Sequence, residues 1–474
     1  MLVPTLLAGI GTIAAIGLLL SPLWVGGAMG GAVLTFLLFR FPRLYVYLFL
    51  VVALLPLSFL NYLDQFRLFG GGEAGANIVG LGWSLSIVLF VVYSLWKKKR
   101  WWRIPYYRPF FVLIGLALPA VMLSHSWLFG VRAWVHLTAP ICLSLLLFST
   151  ITNRKQAIQV MGHIFSIFGF VLAIGVYQLL IGTGSYDFGA DVYRLTGIYG
   201  GGGEVSYAVL LLYLICLAAP IAITEGRKRN TYALPTLLCS ILLLVSSASR
   251  APLLAFLAAA PLMLWKLKVK RKYWLLLIAI AGVGQLSPRV YARFGVSLLY
   301  VPTRFLQQDV STNMTQRIAT WAMLSDQFLN AKTAIMGRGF GSTDYYLLNE
   351  LDDPTDFFAH GPHNEYLRLL LDLGLTGVLL FVGQLVLLYR TGSKLATEPS
   401  DHFSQGLGVS LCAIAMSFAL VAFTSSMYGV GAQNVVFWIF AGLLLATAKW
   451  APMAQPGLVS TQAVLPFCRR VDRS

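Results

Sequence analysis

The feature that most constrains this chain is a series of apolar segments that recurs along nearly its whole length. A helix needs about 20 apolar residues to cross the hydrocarbon core of a bilayer, so segments of about that length predict about 12–14 transmembrane helices. The candidate spans lie near 3–20, 22–39, 44–60, 79–96, 109–124, 129–150, 158–182, 204–224, 231–247, 251–267, 273–286, 362–390, 405–424 and 433–450. The sequence therefore predicts an all-α polytopic membrane protein.

The composition supports a membrane protein over a soluble one. Of the 474 residues, 58% are hydrophobic and 11% are charged, whereas about a quarter of the residues in a soluble domain are charged. The first apolar run, Leu2 to Leu20, lacks a basic region before it and is followed at once by another run. We therefore expect this run to be a retained span and not a cleaved signal peptide.

The distribution of basic residues predicts how the spans are oriented. Lys and Arg outnumber Asp and Glu by 35 to 18, a balance that in a soluble protein would suggest nucleic-acid binding. Here the basic residues form short clusters between apolar segments, as the positive-inside rule describes, so no nucleic-acid partner is predicted. The clusters are Arg40 with Arg43, 97–108, Arg154 with Lys155, 227–229, 266–272, Arg390 with Lys394, Lys449 and 469–473. We expect these clusters, and both termini, to be cytoplasmic.

One large loop is predicted on the opposite, extracytoplasmic side. It covers 287–361 and separates N-terminal spans within 1–286 from C-terminal spans within 362–450, which a cytoplasmic tail at 451–474 follows. The pattern from Met314 to Leu329 predicts an amphipathic helix in this loop. Loops of this length in compact proteins are usually functional, and a passive cap is the alternative.

A cluster of polar residues stands where this loop returns to the membrane. The stretch from Phe357 to Phe381 begins with two histidines in a Gly/Pro turn and continues without a predicted break into an apolar segment. Polar groups are costly at membrane depth, so such a cluster is a candidate functional site. Its members are His360, His363, Asn364, Glu365 and Arg368.

Two arginines fall on the same predicted side as this cluster. Arg194 lies in the loop 183–203, and Arg250 lies in the tight turn between two spans. An arginine can bind phosphate oxygens through two parallel hydrogen bonds. Gly200 to Gly203 precede a span whose first N–H groups could also bind phosphate, although a flexible loop explains the glycines equally well.

Each candidate also has a structural interpretation. Arg250 could cap a helix dipole or anchor at the lipid headgroups, and Arg194 could pair with Asp191 at the surface. His363 could satisfy a buried backbone group. Arg132 and His136, inside a predicted span, form either a buried pair that lines a cavity or part of the catalytic site.

A metal site is the other interpretation of the histidines. His360 and His363 lie close in sequence to Asp352, Asp353 and Asp356, a set that could suit a divalent cation. The Gly-Pro between the histidines breaks helical spacing, and no HExxH pattern is present. The sequence predicts no metal and no cofactor.

Several motifs together carry a family resemblance. They are RLTGIY before a span, SSASRAPLLAF, Arg317 with Trp321 in an R-x3-W pattern, GRGFG in the large loop, and HNEYLRLLLDLGLTGVLLF after it. In order and placement, over about residues 190–385, the chain resembles the superfamily of O-antigen ligases and polysaccharide polymerases. This superfamily comprises polytopic enzymes that act on undecaprenyl-diphosphate-linked glycans.

The resemblance implies a membrane glycosyltransferase in the bacterial inner membrane with its active site at the periplasmic face. Arg194 and Arg250 match the diphosphate-binding arginines of the family, and His363 matches its essential histidine. Relatives commonly have Pro-Asn a few residues after the first arginine, where this chain has Gly200 to Gly203. The implied acceptor is lipid A-core for a ligase, or another lipid-linked repeat unit for a polymerase.

The resemblance also implies a mechanism. The arginines would stabilise the charge that develops on the departing lipid diphosphate, and His363 would take the proton of the acceptor hydroxyl. Glu365 or Glu204 could orient the imidazole or replace it. Secondary site residues are His360, Asn364, Arg317 and Arg132. A transporter or flippase is the alternative, but it would need a polar path through spans that are nearly free of charge.

Overall fold

The computed structural model describes residues 105–187, 192–197, 204–224, 232–247, 249–269, 313–349, 362–399, 401–425, 427 and 432–449. The predicted spans near 3–20, 22–39, 44–60, 79–96 and 273–286 lie outside these residues, as does the predicted tail. A short 3-10 turn, Pro105–Tyr107, opens the described part of the chain.

Most of the described residues are helical. The helices are α1 (Arg108–Met122), α2 (Trp127–Thr150), α3 (Arg154–Ile181), α4 (Glu204–Thr224), α5 (Ala233–Ser246), α6 (Arg250–Lys266), α7 (Asn313–Phe328), α8 (Ala331–Met336), α9 (Ser342–Asn349), α10 (Glu365–Thr397), α11 (His402–Ala422) and α12 (Ala432–Thr447). Every predicted span that falls on described residues coincides with one of these helices. The predicted amphipathic helix of the large loop is α7.

Within the described part of the chain, five helical segments are long and apolar enough to cross a membrane. They are Phe129–Thr150, Arg154–Ile181, Val205–Thr224, Glu365–Thr397 and His402–Ala422. Shorter apolar helices accompany them at Arg108–Met122, Ala233–Ser246 and Gln433–Thr447. The predicted class, an all-α polytopic membrane protein, is thereby confirmed.

Two local features differ from what the sequence predicts. The segment from the histidine turn into the membrane is not continuous, because Gly374 has φ 70° and ψ −171° and divides α10 into residues 365–373 and 375–397. A glycine adopts this conformation without the steric cost that other residues pay, which is why the helix breaks there. The loop before α4 contains a short antiparallel hairpin of β1 (Ser185–Asp187) and β2 (Val192–Arg194), in which Ser185 pairs with Arg194.

The second segment of α10 packs antiparallel to α11 at the centre of the bundle. The rings of Phe381 and Phe418 lie 6.0 Å apart, and further along the pair the Cys412 thiol donates to the Tyr389 carbonyl at 3.3 Å. A Cβ on Gly392 would lie 2.7 Å from the carbonyl oxygen of Gly408. Small residues thus let the two backbones approach closely, as is common between membrane helices.

Polar contacts define one end of the bundle, here called the basic end. Lys266 Nζ at the end of α6 donates to Ser393 Oγ near the end of α10 at 2.8 Å. Arg154 at the start of α3 forms an ion pair of 3.0 Å with Asp401, and Lys449 donates to a carbonyl at the end of α2. The sequence predicts that the basic residues of this end lie on the cytoplasmic side.

The opposite end, here called the loop end, contains the starts of α4, α6, α10 and α12. Ser206 Oγ on α4 donates to Gln433 Oε1 on α12 at 3.2 Å. Tyr366 OH on α10 donates to the Ala419 carbonyl in the last turn of α11 at 2.9 Å. Because α6 and the second segment of α10 both end at the basic end, Arg250 and the histidine turn lie toward the same, opposite end.

Candidate functional site

His363 lies in an unusual backbone turn at the start of α10. Its φ of +49° is positive, a conformation that few residues other than glycine adopt. The next residue, Asn364, is the N-cap, and its Oδ1 accepts a hydrogen bond from the Leu367 N–H at 3.1 Å. Asparagine is among the preferred N-cap residues because it satisfies an otherwise unpaired N–H. Strained residues cluster at functional sites, which is consistent with a functional role for this turn.

Glu365 and Arg368 form a buried ionic network in the first turn of α10. Both side chains are fully buried, and Arg368 Nε lies 3.1 Å from Glu365 Oε1. Glu365 Oε2 accepts a hydrogen bond from the Met427 N–H at 2.7 Å, and Arg368 Nη1 lies 3.3 Å from Asp344 Oδ2 on α9. These contacts tie the turn to two other parts of the chain, the residues after α11 and helix α9. Removing one partner from such a network would leave an uncompensated buried charge.

Helix α7 of the large loop contacts the same turn through two residues on one face. Arg317 Nη1 donates to the Thr424 carbonyl, just beyond the end of α11, at 2.7 Å. Trp321 Nε1 donates to the carbonyl of Pro362, the residue before His363, at 2.7 Å. The four-residue spacing places both side chains on one side of the helix. The Arg317 and Trp321 motif of the sequence thus joins the loop to the site.

The GRGFG segment of the large loop fits into the break in α10. In an unbroken helix the carbonyls of Leu371 and Asp372 would accept from residues four positions ahead. Instead they accept from the N–H groups of Arg338, at 2.8 Å, and Gly339, at 3.1 Å. A Cβ on Gly337 would lie 2.3 Å from the Asp372 carbonyl oxygen. The glycines therefore allow loop and helix backbones to meet directly.

Asp372 completes this attachment and was not identified from the sequence. Its Oδ2 accepts from the Gly341 N–H at 2.9 Å. Its Oδ1 accepts from the Thr343 N–H at 3.0 Å and from Thr343 Oγ1 at 2.6 Å. A carboxylate at the N-terminus of a helix, here α9, is favourable because the N–H groups there carry partial positive charge. The sequence feature that could have identified Asp372 is its position as an acidic residue on the same helical face as Glu365 and Arg368.

The remaining predicted residues are placed as follows. Arg250 is the first residue of α6 and is half-buried, and Arg132 is half-buried in α2. Arg194 ends β2 and Glu204 begins α4, and for these two the structure describes the backbone. His360 lies outside the described residues. The structure therefore brings together His363, Asn364, Glu365 and Arg317, and places Arg250 at the same end of the bundle.

A metal centre near the histidine turn is the other possibility that the sequence raised. Among the described residues, no group of three or more His, Cys, Asp or Glu side chains could hold a metal ion. His360 and the aspartates at 352, 353 and 356, which the sequence offered as possible ligands, lie outside the described part of the chain.

Comparison with known families places this site within a recognised region. Residues 235–382 match the model of the O-antigen ligase family. The match includes Arg250, Arg317, His363, Glu365 and the break at Gly374, whereas Arg132, Arg194 and Glu204 precede it. No curated protein matches the chain. The match confirms the resemblance to the O-antigen ligase and polymerase superfamily over this region, and it supports a membrane function of that general type.

Proposed function

We propose that this protein is a membrane glycosyltransferase that moves a glycan from an undecaprenyl-diphosphate donor to an acceptor hydroxyl. The observation that carries the proposal is the family match over 235–382, because it covers both Arg250 and His363. The active site is at the loop end of the bundle, which faces the periplasm. The protein is a bacterial inner-membrane enzyme that needs neither a metal ion nor a nucleotide, since its donor is already activated.

The direction of the helices supports joint action by Arg250 and His363. The contact between Lys266 and Ser393 joins the ends of α6 and α10, so the starts of both helices lie toward the other end. Helix α6 has 17 residues, which at about 1.5 Å per residue is about 25 Å. From Ser393, which contacts Lys266, back to the break at Gly374, the second segment of α10 rises about 28 Å. From Lys266 back to Arg250, helix α6 rises about 24 Å. Arg250 therefore lies within about one helical turn of the level of Gly374.

In the proposed reaction, the bond between the first sugar carbon and the lipid diphosphate oxygen breaks. The acceptor oxygen forms a new bond to that carbon, and the electron pair of the broken bond stays on the diphosphate. The guanidinium groups of Arg250 and Arg194 stabilise this negative charge, as fixed cations do in a water-poor site. His363 takes the proton that the acceptor hydroxyl releases, a role that suits an imidazole near neutral pH.

The other predicted residues have supporting roles in this proposal. Asn364 caps α10, and Glu365 is fully buried in its pairs with Arg368 and Met427, a position suited to orienting the histidine turn. Arg317 holds α7 against the end of α11. Glu204 begins α4 and Arg132 lies in the first part of α2, both at the loop end, and His360 is three residues before His363 in the sequence.

The acceptor is either lipid A-core or another lipid-linked repeat unit. The arginines and the histidine serve both reactions equally, because the two reactions differ only in the hydroxyl that attacks. A deletion strain distinguishes them through its surface polysaccharide. Loss of a ligase leaves long lipid-linked chains that are not transferred, whereas loss of a polymerase leaves single repeat units.

The direct test uses the purified protein in lipid nanodiscs with a lipid-linked glycan and each acceptor in turn. We expect transfer without added nucleotide sugar, release of undecaprenyl diphosphate, and loss of transfer in Arg250→Ala. No transfer to either acceptor, combined with uptake of solute by proteoliposomes, would instead identify the protein as a transporter.

A further inference from the structure

We propose that Trp321 and Arg368 are positioning residues that let the large extracytoplasmic loop set the place of His363. This inference rests on the proposed function, because it assigns His363 a catalytic role. It adds a role for the loop, which holds the catalytic turn in its reactive conformation.

The first observation is that the residues on both sides of His363 are held by separate parts of the chain. The carbonyl of Pro362 accepts from the Trp321 indole of α7. Two residues after His363, the Glu365 carboxylate accepts from the Met427 N–H, between α11 and α12. Between these two attached positions, His363 has the positive φ of +49°. A conformation of this kind persists when its surroundings determine it from several sides.

The second observation is that the ionic network reaches back into the loop. Fully buried Arg368 contacts Glu365 on one side and Asp344 of α9 on the other. Helix α9 is in turn attached to α10 by Asp372, which accepts from Gly341 and Thr343. The loop therefore contacts the chain on both sides of the first segment of α10, at Pro362 just before it and at Asp372 near its end.

The third observation is that the first segment of α10 does not continue straight into the second. The break at Gly374 separates residues 365–373 from the helix that packs along α11. The GRGFG segment supplies hydrogen bonds to the two carbonyls before the break. Because the helix is divided there, loop contacts contribute directly to fixing the segment that begins next to His363. A small displacement of a reacting group can lower the rate about a hundredfold.

Trp321→Phe is the most selective test of this role. The phenyl ring retains the packing against Phe423, whose ring centre lies 5.7 Å from that of Trp321, but it cannot donate to Pro362. Trp134→Phe is a matched control, since Trp134 Nε1 donates to the Ile114 carbonyl at 3.2 Å between α2 and α1. Each variant therefore loses one indole-to-carbonyl hydrogen bond.

We expect Trp321→Phe to lower kcat for glycan transfer about tenfold, with the KM for the lipid-linked donor unchanged, because a shifted base impairs chemistry and not binding. Trp134→Phe should keep the wild-type kcat. A second measurement is independent of activity: the rate at which diethyl pyrocarbonate modifies His363, followed by peptide mass spectrometry, should change in Trp321→Phe and stay at the wild-type value in Trp134→Phe.

Arg368→Lys and Asp344→Asn test the ionic side of the network in the same two assays. Lysine keeps the charge but cannot reach two carboxylates with the planar geometry of a guanidinium, so both variants should lower kcat and change His363 modification. Asp344→Glu should restore part of the kcat lost in Asp344→Asn.

The outcomes separate the two levels of the argument. If the wild-type protein transfers glycan and His363→Ala does not, but Trp321→Phe and Arg368→Lys retain the wild-type kcat and His363 modification rate, the positioning role is wrong and the proposed function stands. Equal losses in Trp321→Phe and Trp134→Phe would show a general packing defect and would also overturn the positioning role. If His363→Ala transfers normally, the proposed catalytic role itself fails.

Discussion

A side chain on Gly374 would place its Cβ 2.2 Å from the carbonyl oxygen of Ile335. The break in α10 is thus also a place where the large loop approaches the helix very closely. A Cβ added to Gly337 would lie about as close to the backbone of Asp372, and one added to Gly339 about as close to the backbone of Leu123. The three glycines join the loop, the broken helix and the turn between α1 and α2.

Gly374→Ala should destabilise the protein strongly. Gly374 has φ +70° and ψ −171°, a conformation that is essentially confined to glycine and costs about 1–3 kcal/mol for other residues, and the clash with Ile335 adds to this cost. We expect a lower unfolding temperature in detergent. Gly383→Ala is the control, because Gly383 lies in the same helix and a Cβ added there would have no atom within 4 Å. Equal stability of the two variants would contradict the described loop contact.

Asp372→Asn should loosen the attachment of the loop. The carboxylate accepts three hydrogen bonds from Gly341 and Thr343. Asparagine replaces one of its oxygens with an NH2 group, which cannot accept a hydrogen bond and would face another donor. Leaving buried groups unpaired costs about 1–3 kcal/mol. Amide hydrogen exchange within 337–349 should therefore accelerate. Asp326→Asn, on the exposed face of α7, is the control and should leave this exchange unchanged. Exchange at the wild-type rate in both variants would show that Asp372 does not hold the loop.

Ser393→Ala should have little effect on transfer, because it lies at the basic end. The substitution removes the hydrogen bond from Lys266, while the Lys266 ammonium stays 5.4 Å from the centre of the Tyr389 ring. We expect a loss of stability of about 1 kcal/mol and a wild-type transfer rate in the nanodisc assay. A rate as low as that of Arg250→Ala would mean that the two ends of the bundle are not functionally distinct.

The helices were predictable from the sequence because spans differ from their surroundings in hydropathy. The candidate site was predictable for a related reason, since His363, Asn364 and Glu365 are polar residues at a span entrance. The break at Gly374 was not predicted, because a glycine within an apolar run has the same local pattern whether it continues or interrupts a helix. Its conformation depends on the distant GRGFG segment, whose N–H groups donate hydrogen bonds to the carbonyls just before the break. The hydrogen bond of Trp321 likewise joins it to a residue 41 positions away in the sequence.

The central claim is that Arg250 and His363 act in one reaction, the first on the lipid diphosphate and the second on the acceptor hydroxyl. Both alanine variants should therefore lose transfer, but only Arg250→Ala should also lose affinity for the donor. Arg250→Ala should bind the donor at least about tenfold more weakly, since it loses a charge-assisted contact to phosphate.

The most direct measurement is the affinity for undecaprenyl-diphosphate-linked glycan, compared with the rate of transfer, in the wild-type protein, Arg250→Ala and His363→Ala in nanodiscs. We predict that His363→Ala binds the donor with wild-type affinity and does not transfer the glycan, and that Arg250→Ala loses both affinity and transfer. Wild-type affinity and transfer in both variants would contradict the account.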